Sequence, residues 1–393
     1  MTDAPAARKA PARVLLITRN LPPLRGGMER LNKHMALELA REWVVTVVGP
    51  VGCGAMLPGL EISEVAARPL WRFFFGAFRR GLAAAKRMRP DIVLAGSGLA
   101  APFAWCAAKY AGARFAVYVH GLDLIAEHPL YRWFWLPFIC RADLCIANSE
   151  NTARLARAIG VPRSHVSIVH PGVDLPAAEL AATNDFRARF DLGNRPMLLS
   201  VGRLIERKGL LEFVENALPR VVDEVPDSCL VVLGEETPEL LHGDSVGLGA
   251  RIRERAAALG IERNLRFIGP QDDTTLAEAY CAADVHVFPV REVSGDVEGF
   301  GMVAVEAAAY GLPTVAFAVG GVPEAVADGV SGNLVPAHDY EHFAQRIIER
   351  LRRRGDEDSH RKAREFAQQF AWENFGTKIR RLLVDCVAVK GSN

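Results

Sequence analysis

The chain has 393 residues, 50% of them hydrophobic and 24% charged, which argues against extensive disorder and against an integral membrane protein. A single core rarely serves so long a chain, so two domains of roughly 150–200 residues each are expected. The formal net charge of +1 conceals a split: residues 1–174 carry 22 Lys+Arg against 12 Asp+Glu, the remainder 25 against 34. The first half therefore suits an anionic partner such as lipid, acceptor or nucleotide phosphate, unless the two halves simply face one another through opposite charge.

The N-terminus mixes Ala, Arg and Lys without an apolar run and reads as a short disordered leader; no stretch reaches membrane-span length. Arg13–Thr18 is then a short apolar strand, followed by the turn-rich Asn20–Gly27 and by Leu31, Met35 and Leu39 at helical spacing. Val44–Val48, Asp91–Ala95, Arg114–Val119, Leu144–Ala147 and Val166–Val169 read as further buried strands, most of them separated by helical stretches. Such alternation implies a parallel sheet with right-handed crossovers.

A polar, alanine-rich linker runs from Asp174 to Asn194, and the pattern restarts. Met197–Gly202, Leu230–Gly234, Leu265–Gly269, Val285–Pro289 and Thr314–Phe317 read as a second set of strands. Beyond about residue 338 the chain reads as helical, with Phe366, Phe370, Phe375, Ile379 and Leu382 on apolar faces. The expected fold class is α/β, with two Rossmann-like doubly wound parallel-sheet domains facing a cleft. They span 1–177 and 178–370, and a terminal helix, 371–393, packs back on the first. The seven cysteines show no Cys-x-x-Cys pair and no nearby His cluster, so neither zinc nor a disulfide framework is indicated and a reducing cytoplasm fits.

Three segments carry chemistry. Gly26-Gly27, just before a helix, allows backbone to approach a phosphate, although it reads equally as a tight turn. In Gly202-Arg-Leu-Ile-Glu-Arg-Lys-Gly209, directly after a strand, Arg203 and Lys208 can reach one diphosphate, or else they are solvated surface cations. In Glu298-Gly-Phe-Gly-Met-Val-Ala-Val-Glu306 the backbone N–H groups of Gly299 to Met302 can hold phosphate or sugar oxygens, and the carboxylates can accept bonds from vicinal hydroxyls.

Together these segments resemble the family-4 retaining glycosyltransferases of the GT-B fold. Glu298-x7-Glu306, Arg203-x4-Lys208, Gly26-Gly27, His120-Gly-Leu-Asp123, Asn148-Ser149, Pro171-Gly-Val-Asp174 and Gly320-Gly-Val-Pro-Glu324 stand in the family's order across nearly the whole chain. The resemblance implies a nucleotide-sugar donor, with Arg203 and Lys208 on its diphosphate and Glu306 on the ribose. It also implies Glu298, Gly299, Phe300, Gly301 and Met302 on sugar and phosphate, His120 beneath the transferred sugar, and Gly26 and Gly27 beside the phosphates. His120, Glu298, Arg203 and Lys208 are the expected catalytic set. Gly295–Val303 is similar to bacterial GDP-mannose-dependent mannosyltransferases, including phosphatidylinositol mannoside enzymes, which points to mannose transfer onto a lipid-linked or glycan acceptor. Two departures bear on selectivity: Gly234-Glu-Glu-Thr-Pro238 replaces the family's Gly-x-Gly-Pro-type turn, and the Arg291–Asp296 stretch is longer than in many members.

No cofactor or metal is expected, because no Asp-x-Asp pair stands in a suitable loop and cations already serve the diphosphate. No nucleic-acid partner is indicated. Residues 65–90 hold seven Lys+Arg, no acids, and the aromatics Trp71, Phe73, Phe74, Phe75 and Phe78; Leu130–Leu136 adds a second aromatic cluster. That pattern suits an anionic membrane surface at the cytoplasmic face, or else aromatic core beneath a solvated basic face. The rival functions are a UDP-sugar transferase, a nucleotide-sugar epimerase and a non-catalytic sugar-nucleotide-binding module.

Overall fold

A computed structural model describes residues 11–176, 185–235 and 247–388. The expected leader, the middle of the expected linker and the end of the Gly234–Pro238 turn lie outside the described residues. The chain divides into two compact units, Met1–Gly172 with Trp372–Asn393, and Val173–Ala371.

In the first unit the strands are β1 (Arg13–Ile17), β2 (Val44–Pro50), β3 (Glu61–Val65), β4 (Ile92–Ala95), β5 (Arg114–Val119), β6 (Leu144–Ala147) and β7 (Val166–Ile168). They form one parallel sheet in the order β3-β2-β1-β4-β5-β6-β7. In the second unit β8 (Met197–Val201), β9 (Cys229–Leu233), β10 (Leu265–Gly269), β11 (Val285–Phe288), β12 (Thr314–Phe317) and β13 (Gly332–Val335) are likewise parallel, in the order β10-β9-β8-β11-β12-β13. Central strands such as β1, β4 and β6 are apolar almost throughout and buried, as a sheet covered on both faces requires.

Two edge strands escaped the sequence pattern. The β3 segment Glu-Ile-Ser-Glu-Val is mostly polar and carries Glu61, which pairs with Arg87 and accepts from Thr46 Oγ1 at 2.9 Å. The β13 segment Gly-Asn-Leu-Val is short and half polar. An edge strand has one neighbour and one wetter side, so it needs no continuous apolar run.

The strand order reverses at β1/β4 in one sheet and at β8/β11 in the other. Loops that leave such a switch point diverge and open a crevice at the carboxyl ends of the strands. The segments that sequence singles out follow these strands: Gly26-Gly27 after β1, Gly202–Gly209 after β8, and Arg291–Glu298 after β11.

The last helix, Trp372–Ala388, belongs to the first unit and packs on the helix Gly27–Ala40. Trp372, Phe375, Ile379 and Leu383 are buried on it, while Leu382, expected on that face, is only half-buried. At its start Trp372 stacks on His34 with ring centroids 4.0 Å apart. The indole also covers Gly172, where a Cβ would come within 2.3 Å of it, which explains the glycine in Pro171-Gly-Val-Asp174.

Candidate functional site

In the second unit, the short turn Glu206–Lys208 follows β8 and ends at Gly209. A Cβ on Gly209 would lie 2.0 Å from the Pro289 carbonyl, so only glycine lets this turn press against the end of β11. Arg291 N–H donates to the Arg207 carbonyl at 3.0 Å and ties the two loops together. Arg207 Nη1 and Lys208 Nζ consequently both donate to Oε2 of Glu298, the lysine at 2.8 Å. Arg207 Nε is also 2.9 Å from Asp296 Oδ1, and the Lys208 ammonium lies over the Phe288 ring, 4.7 Å from its centroid.

The Glu298 loop is clamped from its other side. Gly321 N–H donates to the Glu298 carbonyl at 3.0 Å, and a Cβ on Gly320 or Gly321 would lie 2.6 or 2.1 Å from the carbonyl oxygens of Glu298 and Gly299. Gly320-Gly321 is therefore a packing requirement of the acidic loop. The helix Met302–Ala309 begins immediately afterwards without a side-chain cap, so its positive end is open to an anionic group. One turn on, Glu306 is buried and accepts from the Tyr280 hydroxyl at 3.2 Å, while Tyr280 stacks on Tyr310.

Burial alone would raise the Glu298 carboxyl, but Lys208 and then Arg207 overcome it and hold its pKa below the ordinary value. Burial lowers Lys208, which Glu298 only partly offsets and Arg207 reinforces. Beneath them His286, fully buried with Nδ1 3.0 Å from Thr314 Oγ1, is pushed down to about 3 by burial and by Lys208, so it is neutral. Ionised Glu298 and neutral His286 together place the local positive charge on Arg207 and Lys208.

In the first unit, Gly26 precedes the helix Gly27–Ala40, again without a side-chain cap. His120, at the end of β5, is buried; its Nε2 is 3.0 Å from the Gly96 carbonyl, and its backbone N–H donates to Asp123 Oδ2 at 3.1 Å. Asn148 Nδ2 reaches the His120 carbonyl at 3.5 Å, whereas Ser149 caps the helix Glu150–Ala158 through a 3.1 Å bond from Thr152 N–H. Of the Asn148-Ser149 pair, one residue supports His120 and the other starts a helix.

Family models match both parts of the chain: Glycosyltransferase Family 4 over residues 25–176 and Glycosyl transferases group 1 over residues 183–370. A GDP-mannose-dependent alpha-(1-6)-phosphatidylinositol monomannoside mannosyltransferase of Mycolicibacterium smegmatis is 32% identical over 352 residues, 84% of this chain and 86% of that protein. The chain is a family-4 glycosyltransferase. A D-inositol 3-phosphate glycosyltransferase of Mycobacterium marinum is 35% identical over 243 residues, 59% of this chain and 48% of that one. Among solved structures, Anabaena HepE in complex with UDP superposes with a TM-score of 0.75 at 19% identity, over 95% of this chain and 100% of its own. A sucrose-phosphate synthase from Thermosynechococcus elongatus also gives 0.75 at 21% identity, covering 96% and 100%. The glycosyltransferase thus has the two-sheet GT-B fold.

Among its expected site residues, Lys208 and Glu298 are in direct contact, and Glu306 lies on the helix that the Glu298 loop enters. Arg203 is exposed in the same loop as Lys208, near enough to disfavour the lysine's charge. Phe300 narrows one expectation: its ring is buried 5.7 Å from that of Phe370, so only its backbone is available to a ligand. Met302 is half-buried against the core, leaving chiefly its N–H. Sequence reasoning missed Arg207, Asp296, Tyr280 and His286. Arg207 stood unremarked inside the Arg203-x4-Lys208 motif, and Asp296 at the end of the Arg291–Asp296 stretch. No local pattern marks Tyr280 or His286. Among the described residues no cluster of His, Cys, Asp and Glu could hold a metal ion, and no helix is long and apolar enough to cross a membrane.

Proposed function

We propose that this glycosyltransferase moves mannose from GDP-mannose, with retention of configuration, onto a lipid-linked or glycan acceptor in envelope polysaccharide or glycolipid synthesis. The observation that carries the reading is the meeting of Lys208 and Glu298 at the carboxyl ends of the switch strands β8 and β11, where an anionic donor would find a cation, a carboxylate and an open helix N-terminus. Mannose as the sugar is supported by the relative that matches across most of both chains.

In this reading the donor's bond between C1 and the diphosphate oxygen breaks while the acceptor oxygen bonds to C1 on the same face. The acceptor's proton passes to the departing diphosphate. No protein nucleophile is required, unlike the paired carboxylates of retaining glycosidases. Lys208 and Arg203 neutralise the charge growing on the leaving group, with the helix start at Met302 and the Gly26-Gly27 turn as backbone partners. Glu298 holds sugar hydroxyls, Glu306 the ribose, and His120 the transferred sugar. The residues present provide positive charge for the diphosphate without a metal, and turnover should persist in a chelator.

The acceptor side is assigned to a membrane surface. On the helix Leu70–Met88, Phe73 is core, but Trp71 (63% exposed), Phe75 (60%) and Phe78 stand out beside exposed Arg72, Arg79 and Arg80. Phe74 bridges to Trp135, 5.2 Å away, and next to it the helix Pro129–Phe134 exposes Leu130, Trp133 (81%) and Phe134. The two aromatic clusters thus adjoin, and aromatics rimmed by arginine suit an anionic interface at the cytoplasmic face.

The test is a panel of GDP- and UDP-sugars with lipid extract, phosphatidylinositol mannosides or inositol phosphate as acceptor. Release of GDP with a mannosylated product of unchanged anomeric configuration is expected. Epimerised donor, or binding without turnover, would overturn the reading. Flotation with anionic vesicles should carry the enzyme at low salt and release it at high salt, and Trp71→Ala with Trp133→Ala should weaken it; no flotation removes the membrane assignment.

A further inference from the structure

The cluster at Glu298 holds two cations of different freedom. Arg207 and Lys208 are neighbours on one turn and share Oε2 of the same carboxylate. Arg207 has 6% of its side chain exposed and is held by a second carboxylate, Asp296, at 2.9 Å. Lys208 has 18% exposed and touches no other carboxylate among the ion pairs of the described residues. A guanidinium fixed between two carboxylates cannot turn to a ligand, whereas an ammonium on a flexible stem can.

We propose that Arg207 is a positioning residue, the permanent counter-ion of Glu298, which frees Lys208 to turn from Glu298 to the donor diphosphate. This rests on the donor-site reading above. A buried carboxylate stripped of its last cation is strongly disfavoured, so a site with Lys208 as sole partner would keep the lysine for itself and resist the donor. With Arg207 in place, Glu298 stays ionised and in position to receive sugar hydroxyls while Lys208 moves. Asp296 also holds Arg207, which ties the Arg291–Asp296 loop into the same cluster.

Arg207→Gln should raise the donor KM by about tenfold or more with a smaller change in kcat, because the interaction lost governs access of the donor to Lys208. Arg207→Lys, which keeps the charge but loses the fork to Asp296, should recover to within roughly threefold of wild type. The deciding measurement is a double-mutant cycle: in a Glu298→Gln background, Arg207→Gln should change the donor KM by less than about twofold, since the Glu298 carboxylate that competes for Lys208 is then absent. A purely structural role for Arg207 would lower the folded fraction and kcat equally in both backgrounds and leave the donor KM unchanged; that result, or a wild-type KM in Arg207→Gln, overturns the proposal. Where Arg207→Gln does not fold, Asp296→Asn should shift the donor KM in the same direction by a smaller factor, and an unchanged KM there overturns it too. Calorimetric titration of the wild-type chain with GDP and UDP separates the two readings. No binding to wild type defeats the donor site itself, whereas binding that Arg207→Gln leaves unaltered defeats only the role of Arg207.

Discussion

Glu298 and Glu306 stand eight residues apart in one glycine-rich segment, yet they occupy opposite environments. Glu298 sits in a loop against two cations, Arg207 and Lys208, with its backbone gripped by Gly321. Glu306 sits one turn into a helix, buried, with a neutral phenol, Tyr280, on its Oε2. A carboxylate among cations belongs to a charge network that an anionic ligand must enter and rearrange. A carboxylate beside a phenol is a fixed acceptor suited to neutral hydroxyls. Two identical side chains thus differ only in what surrounds them, cations for Glu298 and a phenol for Glu306.

The largest test of that contrast is removal of the charged side. Lys208→Ala should lower kcat/KM by about 100- to 1000-fold, the usual consequence of losing a preorganised charge partner of a leaving group. Glu306→Ala should act more weakly and mainly on donor KM, by roughly 10- to 100-fold, as expected for a lost hydroxyl contact. A 2′-deoxyribose donor checks its cause: it should be a poorer substrate for wild type and no worse than the normal donor for Glu306→Ala. Wild-type turnover in both variants would remove the site assignment.

Tyr280→Phe is the finer probe. It deletes one hydroxyl from a buried pair, worth about 1–2 kcal/mol, so donor KM should rise roughly 5- to 30-fold with kcat nearly unchanged. An unchanged KM would show that Glu306 keeps its place without the phenol. The smallest effect is one of pH on stability. Because the Glu298 carboxyl is held below its ordinary value of 4.5, its ionised form contributes stability in full above that value and loses it as pH falls through the lowered folded value. The Tm difference between wild type and Glu298→Gln should therefore move in favour of the variant as the solution is acidified below about pH 4.5. A difference flat across that range would mean that the ion pairs do not hold the carboxylate.

Much of the molecule was legible from local pattern. Strands such as Leu144–Ala147 and Thr314–Phe317 are apolar runs because a doubly covered parallel strand has no wet side, and burial of that kind is written residue by residue. The same logic fails at the edges, where β3 and β13 keep one open side and need no such run. Gly320-Gly321 was legible only as part of a family motif, and the fold reveals that it is the backing of Glu298. Lys208 and Glu298 could be named as candidate site residues from their motifs, but their contact spans 90 positions, and the turn after β8 meets the loop after β11 only because those strands are neighbours.

The amino-acid sequence by itself determined the two alternating α/β halves, the family and the principal donor-site candidates, since these rest on composition, periodicity and motifs a few residues long. The tertiary structure alone decided which aromatics of residues 65–90 are core and which are surface, that Phe300 offers its backbone and not its ring, and that Arg207, Asp296 and Tyr280 serve the two carboxylates. Burial and charge pairing are properties of neighbours in space, and strand order, which short motifs do not encode, chooses those neighbours.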